Sequence, residues 1–314
     1  MRPDATVGGF AGEQEMKRIL VATDLSTRSD RAMRRAVILA HQFSATIVIV
    51  HVIDDDQPVR LRQAEVREAS ALLEEIAATV RDIDRISCEA RVVLGEPFQA
   101  IADAVEATDA DLVVMGPHRR QALRDVFVGT TVERTIRRSP RPVVMANAVP
   151  AGRYDRVLLA TDLSEGSADA IAAARDLGIL DGADTIVVNA FDSPAVNLMI
   201  RTATAMERLK EHIAEADARA MGELTDFLRG IGLQPTRRVV QFIEGSAAAT
   251  IRDRIGTEKA DLVVIGTHGR SGVAKFFLGS VAEEILRSSA IDVLVVPMTG
   301  NALREPRQPT ASAS

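Results

Sequence analysis

The amino-acid sequence predicts a doubly wound α/β architecture, built as two tandem domains that each carry a five-stranded parallel sheet between layers of helices. Three observations lead there. The chain is written twice, strand-like and helix-like segments alternate within each copy, and the strand-like segments are near-continuous apolar runs. Such runs are buried on both faces, as in a parallel sheet, and right-handed crossovers then place helices on both sides.

The duplication is direct. KRILVATDLSTRSDRAMRRAVILA from Lys17 matches DRVLLATDLSEGSADAIAAARDLG from Asp155. ADLVVMGPHRRQALRDVFVGTTVERTIRRSPRPVVMA from Ala110 matches ADLVVIGTHGRSGVAKFFLGSVAEEILRSSAIDVLVV from Ala260, again without a gap. Asp24 falls on Asp162, Gly116 on Gly266 and Gly129 on Gly279. Units this long are duplicated domains, since a solenoid uses shorter and more numerous repeats. The expected organisation is a flexible arm over 1–15, domains over 16–149 and 150–299, and a disordered tail over 300–314, rich in Pro, Ser and Ala.

In the first copy RILVATD, ATIVIVHVI, CEARVVLG, DLVVMG and PVVMAN read as strands. Between them, Arg28 to Phe43 and Gln63 to Arg81 carry apolar residues at helical spacing, Leu72, Leu73, Ile76 and Val80 forming one stripe of the latter. Pro97 to Ala107 reads as a helix with proline near its start, and GTTVERTIRRS as another. In the second copy the strands are RVLLATD, DTIVVNAF, TRRVVQFIEG, DLVVIG and DVLVVP, and the longest helix covers about Thr204 to Leu228.

Composition narrows the function classes. The chain has 314 residues, 46% of them hydrophobic, enough for two independent cores. A formal net charge of -6 argues against bulk binding to nucleic acid or anionic membranes. The single cysteine, Cys88, excludes an internal disulfide framework and fits a reducing, cytoplasmic setting. No apolar run approaches the roughly 20 residues of a membrane span, and the first residues carry no apolar signal-peptide core.

The stretch GTHGRSGVAKFFLGS, Gly266 to Ser280, follows the fourth strand of the second copy and precedes a helix. Glycine at 269 lets the backbone take a positive φ and approach a ligand closely. Gly279 and Ser280 open the helix, with Ser280 read as N-cap, and a helix start offers free N–H groups and a partial positive charge. Together these form an anion cradle suited to phosphate oxygens. A purely structural turn with Ser280 as a plain cap is the alternative. Position favours the cradle: in doubly wound sheets ligands sit beyond the carboxyl ends of the strands, where strand order switches. Asp24 and Asp162 after the first strands, and Val52 and Phe191 after the second, fall at the same ends. Neither a P-loop nor a dinucleotide fingerprint fits, because Lys275 is misplaced for the former and the latter needs its glycines after strand one.

VATDLS, HVIDD, VVIGTHGRSG and FLGSVAEEILRSS followed by DVLVVP resemble the universal stress protein family, from about Lys17 to Met298, in its tandem form. The resemblance implies a Rossmann-like, adenine nucleotide alpha hydrolase-like fold whose copies dock through their last strands as a pseudo-twofold pair. It implies ATP or a related adenine nucleotide, with or without magnesium, as ligand in the nucleotide-binding subset of members, and no covalent cofactor. Carried onto this chain, Asp162 contacts the adenosine end, Phe191 offers backbone groups to adenine, and Gly266, Gly269, Gly279 and Ser280 hold ribose and phosphates, with His268 at the ligand edge. In the first copy the matching positions are Asp24, Val52, Gly116, Gly129 and Thr130, but Arg119 stands where the second has Gly269, and Pro117 where it has Thr267. An arginine disfavours positive φ and crowds the phosphate approach. The expectation is an unequal pair, the second domain binding ATP and the first binding weakly or serving as scaffold.

The remaining polar residues suggest no catalytic set. His118 and His268 lack metal-binding or catalytic partners, so they are read as loop-packing or ligand-edge residues. His51 is a core or rim residue, His41 and His212 lie on helix surfaces, and Cys88 is a buried inert thiol. Asp24 and Asp162 could instead cap the helices that follow them. Arg134, Arg137, Arg138 and Arg141 read as a solvated helix end, and Met199, Met206 and Met221 as core filling or an apolar groove. Three functions are carried forward: a nucleotide-responsive stress protein, a non-nucleotide scaffold acting through protein contacts, and a slow ATP hydrolase, for which no placed base or Walker-type aspartate is visible. Expected partners are an adenine nucleotide, the other half of the chain, a further copy in a homodimer, and unidentified proteins.

Overall fold

In the computed structural model, which describes residues 16–117, 131–202, 206–267 and 278–297, the first half runs β1 (Arg18–Thr23), α1 (Ser29–Phe43), β2 (Thr46–Ile53), α2 (Val59–Asp82), β3 (Cys88–Leu94), α3 (Pro97–Thr108), β4 (Leu112–Met115), α4 (Thr131–Arg138) and β5 (Val143–Met145). The second half runs β6 (Arg156–Thr161), α5 (Glu165–Asp176), β7 (Asp184–Phe191), α6 (Pro194–Arg201), α7 (Met206–Gly230), β8 (Arg237–Phe242), α8 (Ala247–Glu258), β9 (Leu262–Gly266), α9 (Ser280–Ser288) and β10 (Asp292–Val296). Every strand read from the sequence is present. Two helices differ from expectation. α2 starts at Val59, four residues before Gln63, where Pro58 in extended conformation serves as its N-cap. The long helix of the second half is preceded by α6, which the periodicity did not reveal. Its signal was local: Ser193 caps it by accepting from Val196 N–H, and Pro194 occupies the first turn.

The two halves repeat each other down to single hydrogen bonds. Asp111 Oδ2 accepts from the backbone N–H groups of Lys17 and Arg18, pinning the start of β1 beside β4. Asp261 does the same for Asp155 and Arg156 at the start of β6. α3 and α8 both end on a left-handed residue, Asp109 and Lys259, whose N–H closes the last turn.

All strands join one ten-stranded sheet in the order β3-β2-β1-β4-β5-β10-β9-β6-β7-β8. Pairing is parallel within each half and antiparallel at the centre, where Val143, Val144 and Met145 face Val295, Leu294 and Val293. The last strands are thus the inner edge of each half's sheet, and each covers the other's unpaired backbone. Two apolar layers flank the sheet. One, with Leu39, Leu73, Leu224 and Leu228, lies under α1, α2, α5 and α7, and the other, with Ile101, Ile136, Ile251 and Ile285, under α3, α4, α8 and α9. Both layers run through the seam without interruption, so the halves share their core. No helix among the described residues is long and apolar enough to cross a membrane.

Candidate functional site

In each half the strand order reverses between the first and fourth strands, so the carboxyl ends of β1 and β4, and of β6 and β9, flank a crevice. In the first half this crevice is a cleft of about 650 Å³. Its floor and walls are Val50, Val52, Ile101, Met115 and Val132, with Pro97 and Pro117 at the rim, and its polar end holds Thr23, Asp24, Ser26, Arg28 and His51. An apolar slot with one polar end is the usual form of a small-molecule site. Of the residues expected here, Asp24, Val52 and Gly116 line the cleft; Gly129, Thr130 and Arg119 lie outside the described residues. Gly116 is required by packing, since an added Cβ would lie 2.8 Å from the carbonyl oxygen of Arg28.

The polar end is built by the ATDLS segment, which folds alike in both halves. Leu25 and Leu163 take left-handed backbone angles, φ 57° and 65°, which leucine rarely adopts. The turn is held from two sides. Thr23 Oγ1 accepts from Leu25 N–H and Thr161 Oγ1 from Leu163 N–H. Asp24 Oδ1 accepts from the N–H and hydroxyl of Ser26, and Asp162 Oδ1 from those of Ser164. The aspartates therefore brace the turn without capping a helix themselves. In the second half Ser164 is the cap of α5, accepting from Ser167 N–H at 3.2 Å. Burial pushes the Asp24 carboxyl up, but its bonds to Ser26 and the neighbouring Arg28 cation outweigh this and leave it below the ordinary range.

His51 and Asn189 occupy the same register at the ends of β2 and β7, opposite Thr23 and Thr161. Asn189 Nδ2 donates to Thr161 O, and His51 Nδ1 meets Thr23 O at 2.9 Å. A carbonyl only accepts, so His51 carries its proton on Nδ1. This register corrects the pairing of Val52 with Phe191. The counterpart of Val52 is Ala190, and the two pack against the same apolar layer, the one under α3, α4, α8 and α9. Phe191 corresponds to Ile53. Its ring packs edge-on against Phe242, centroids 6.0 Å apart, in a small cluster with Val196 and Ala216, and its carbonyl accepts from Ile243 N–H. Phe191 belongs to the opposite face of the sheet.

Beyond β9, Gly266 faces Val296 in the sheet, and Gly279 N–H donates to Thr267 O at 2.7 Å, which draws the start of α9 onto the end of β9. The N-cap is Gly279; Ser280 is the first helical residue and makes no side-chain cap, a correction to its expected role. The glycine matters for space: its φ of -62° suits any residue, but an added Cβ would sit 3.1 Å from Thr267 O. His268 and Gly269, the centre of the expected cradle, lie outside the described residues, as does His118. A further cavity of about 400 Å³ opens on the α7 face, lined by Asp162, Asn189, Phe191, Pro194, Arg219 and Glu223 among others.

Other sequence candidates resolve into structural roles. Arg134 is packed, its guanidinium 3.7 Å above the Phe98 ring and 2.5 Å from Glu96, so it ties α4 to α3. Arg141 reaches Asp109 at 3.5 Å. Cys88 is buried, and burial pushes its thiol up to about 11. His41 and His212 are exposed on helices. Met221 packs against the core, whereas Met206 is 65% exposed.

A doubly wound sheet made twice and fused through the last strands, with a ligand-sized cleft at the strand-order switch of the first half, defines a tandem Rossmann-like protein. Comparison with known proteins makes the assignment specific. The family model described as the universal stress protein family matches residues 15–147 and again 153–297, and the chain belongs to that family. A universal stress protein of Mycobacterium tuberculosis is 26% identical over 294 residues, covering 88% of this chain and 96% of that protein. Universal stress protein E of Salmonella typhi is 24% identical over 308 residues, 88% of this chain and 93% of that protein. Among solved structures, a universal stress protein from Archaeoglobus fulgidus superposes with a TM-score of 0.64 at 21% identity, over 89% of this chain and 98% of that one. Another solved family member, 25% identical over 41% of this chain with a TM-score of 0.34, is a complex with cAMP.

Proposed function

We propose that this chain is a nucleotide-responsive stress protein that binds ATP chiefly in its second half. The observation that carries this reading is the contact between Gly279 N–H and Thr267 O. It sets the open end of α9 directly at the carboxyl end of β9, one strand from Asp162 at the end of β6. A helix start in that position presents free N–H groups and the positive end of its dipole to an anion, and Gly279 keeps side-chain bulk away from it. Asp162 supplies acceptors for the sugar, and the backbone at Ala190, on the nucleotide face, takes the adenine role that the family resemblance suggested for Phe191. Gly269 would complete the cradle, and a magnesium ion could accompany the nucleotide.

The reading is tested on the full chain. Purified protein is heat-denatured and the released nucleotide identified, and thermal unfolding is followed with and without ATP and magnesium. A released adenine nucleotide, an upward shift with ATP, and loss of that shift in Gly269→Val support the reading. No nucleotide and no shift would favour a scaffold acting through protein contacts.

A further inference from the structure

The cavity of about 400 Å³ on the α7 face lies between the end of β7, α6 and α7. The sequence makes room for it. The buried stripe of α7 reads Ala216, Ala220, Leu224, Leu228, so the leucines fill the core beside the sheet while the alanines leave space at the strand ends. α6, which has no counterpart between β2 and α2, supplies a wall, anchored by Val196 in one cluster with Ala216 and Phe242. Phe191 and Pro194 add apolar lining. The volume falls near the lower end of the roughly 300–1,000 Å³ typical of small-molecule sites. Three polar groups of the lining are uncommitted. Asn189 is 3% exposed, and its Nδ2 is engaged by Thr161 O, which leaves Oδ1 as a fixed acceptor with no partner among the described residues. Arg219 and Glu223 stand one turn apart on α7, and among the described residues neither side chain has an ion-pair or hydrogen-bond partner. Arginine before glutamate is the weaker order for a helical i,i+4 pair, so both charges stay open to a ligand.

We propose that this pocket is a binding site for a small zwitterion with an apolar side chain, about the size of one amino acid. Arg219 takes the ligand's carboxylate on its planar guanidinium fork. Glu223 and Asn189 Oδ1 take its ammonium, and Phe191 with the alanine floor takes the apolar body. Charge balance selects the zwitterion. Three carboxylates, Asp162, Asp192 and Glu223, against one guanidinium repel a simple anion, whereas a simple cation leaves Arg219 without a counter-charge. A triphosphate is disfavoured on the same ground. The pocket meets the proposed nucleotide crevice at Asp162 and Ala190, but Asn189, Phe191 and α7 belong to the other face of the sheet, and its ligand is held whether or not ATP binds. Arg219 and Glu223 are exposed, so each charged contact changes affinity by at most about fivefold, and burial of the apolar body supplies the rest.

L-Phenylalanine is the probe, compared with phenethylamine, which lacks the carboxylate, and 3-phenylpropionate, which lacks the ammonium. Each is titrated calorimetrically, without nucleotide, into the full chain and into the Arg219→Gln, Glu223→Gln and Ala220→Leu variants, each first checked for cooperative unfolding. Phenylalanine is expected to bind about two- to fivefold more tightly than either analogue. R219Q should weaken phenylalanine by about that factor and leave phenethylamine unchanged. E223Q should weaken phenylalanine and phenethylamine alike and should not weaken 3-phenylpropionate. A220L fills the pocket and should abolish binding of all three. A disturbance of folding alone would move the three ligands together, so the crossed pattern reports direct contact. No saturable binding of phenylalanine, charge variants that treat the three ligands alike, or binding untouched by A220L, which would place it in another cleft, overturns the proposal. Should A220L not fold, the crossed pattern of the two surface variants decides.

Discussion

Arg35 in α1 and Asp292 at the start of β10 form a buried ion pair across the seam between the halves, Nε to Oδ2 at 2.8 Å with both side chains almost wholly out of solvent. Tyr154, in the segment joining the halves, donates its hydroxyl to the same carboxylate oxygen at 2.8 Å, and the Arg35 guanidinium lies 4.1 Å from the Tyr154 ring centroid. Ala148 N–H donates to the other oxygen, and Arg35 Nη1 donates to Gly152 O. The network exists once. At the pseudo-symmetric position the repeat carries Ala173 in place of Arg35 and Pro142 in place of Asp292, and these line a small cavity of about 40 Å³. The lock therefore breaks the pseudo-twofold symmetry of the seam, which the antiparallel pairing of the apolar strands β5 and β10 by itself does not.

Removing one member of this pair strands the other without water. Arg35→Ala or Asp292→Asn is expected to destabilise the full chain by about 3–5 kcal/mol in urea unfolding. A double-mutant cycle should return a large coupling between the two positions. A loss within about 0.5 kcal/mol for either single variant, the range of an ordinary surface change, would mean that the network contributes nothing to folding.

Tyr154 gives the same network a pH signature. Burial, and then the charge of Asp292, push its phenol well above the ordinary value of about 10, the nearby Arg35 cation offsetting part of this. A group raised in the folded state contributes stability that is fully present below its unfolded value and is lost as pH rises toward the folded one. Stability should therefore fall above about pH 10. The chain has one tyrosine and no tryptophan, so the near-ultraviolet tyrosinate signal reports this residue alone. Its appearance should coincide with loss of helical circular dichroism. A phenolate that forms at its ordinary value in a still-folded chain would contradict the buried assignment.

These relationships mark where sequence reading stops. The strands were legible because each is an apolar run between polar turns, and the duplication gave every element a second witness. The Arg35–Asp292 pair was not legible: its partners lie 257 positions apart, and each alone looks like a surface charge. The register of the second strand also escaped. It was present in the sequence: carrying the ungapped repeat forward from Asp24 and Asp162 puts Ala190 on Val52 and Phe191 on Ile53, the register that the ladder opposite Thr23 and Thr161 has, but Phe191 draws the eye as the large apolar residue. α6 was missed because Val196 is its one buried residue, while Leu198 and Ile200 stay 62% and 49% exposed, so no buried stripe announces it. For the candidate site, residue types and order were readable. The division of labour, with Gly116 and Gly279 serving close packing and Asp24 bracing a strained turn, required coordinates.

Gly116 can be separated from any ligand role by its effect on folding. An added methyl group would collide with backbone atoms of Arg28 and Ser29, which cannot swing away as a side chain can. Gly116→Ala is expected to cost about 1–3 kcal/mol in the absence of any nucleotide. Chemical denaturation without ligand measures it. An unchanged midpoint would show that the α1 start yields and that the glycine is kept for another reason.

Cys88 should behave as an inert thiol. Burial raises it to about 11, the nearby Arg81 cation only partly opposing this, so little thiolate exists at neutral pH. Alkylation of the native chain is expected to be on the order of a hundredfold slower than in denaturant. Equal rates in the two states would show that β3, at the outer edge of the sheet, opens readily.

The central seam leads to the sharpest expectation. Cutting the chain between β5 and β6 would expose the backbone edges of β5 and β10 together with Val143, Val144, Met145 and Val293 to Val295, all fully or almost fully buried in the intact sheet. It would also leave Asp292 buried in the second half without Arg35. Unpaired apolar edges seek strands of other chains, so neither half should persist as a monomer in light scattering. Mixed together, they should recover a one-to-one complex in preference to like pairs, because only the unlike pair restores the Arg35–Asp292 contact. With Asp292→Asn in the second half that preference should weaken while β-edge pairing persists, which separates the specificity of the ion pair from the adhesion of the strands. Stable monomeric halves would show that each sheet closes its own edge, and that the shared core is dispensable.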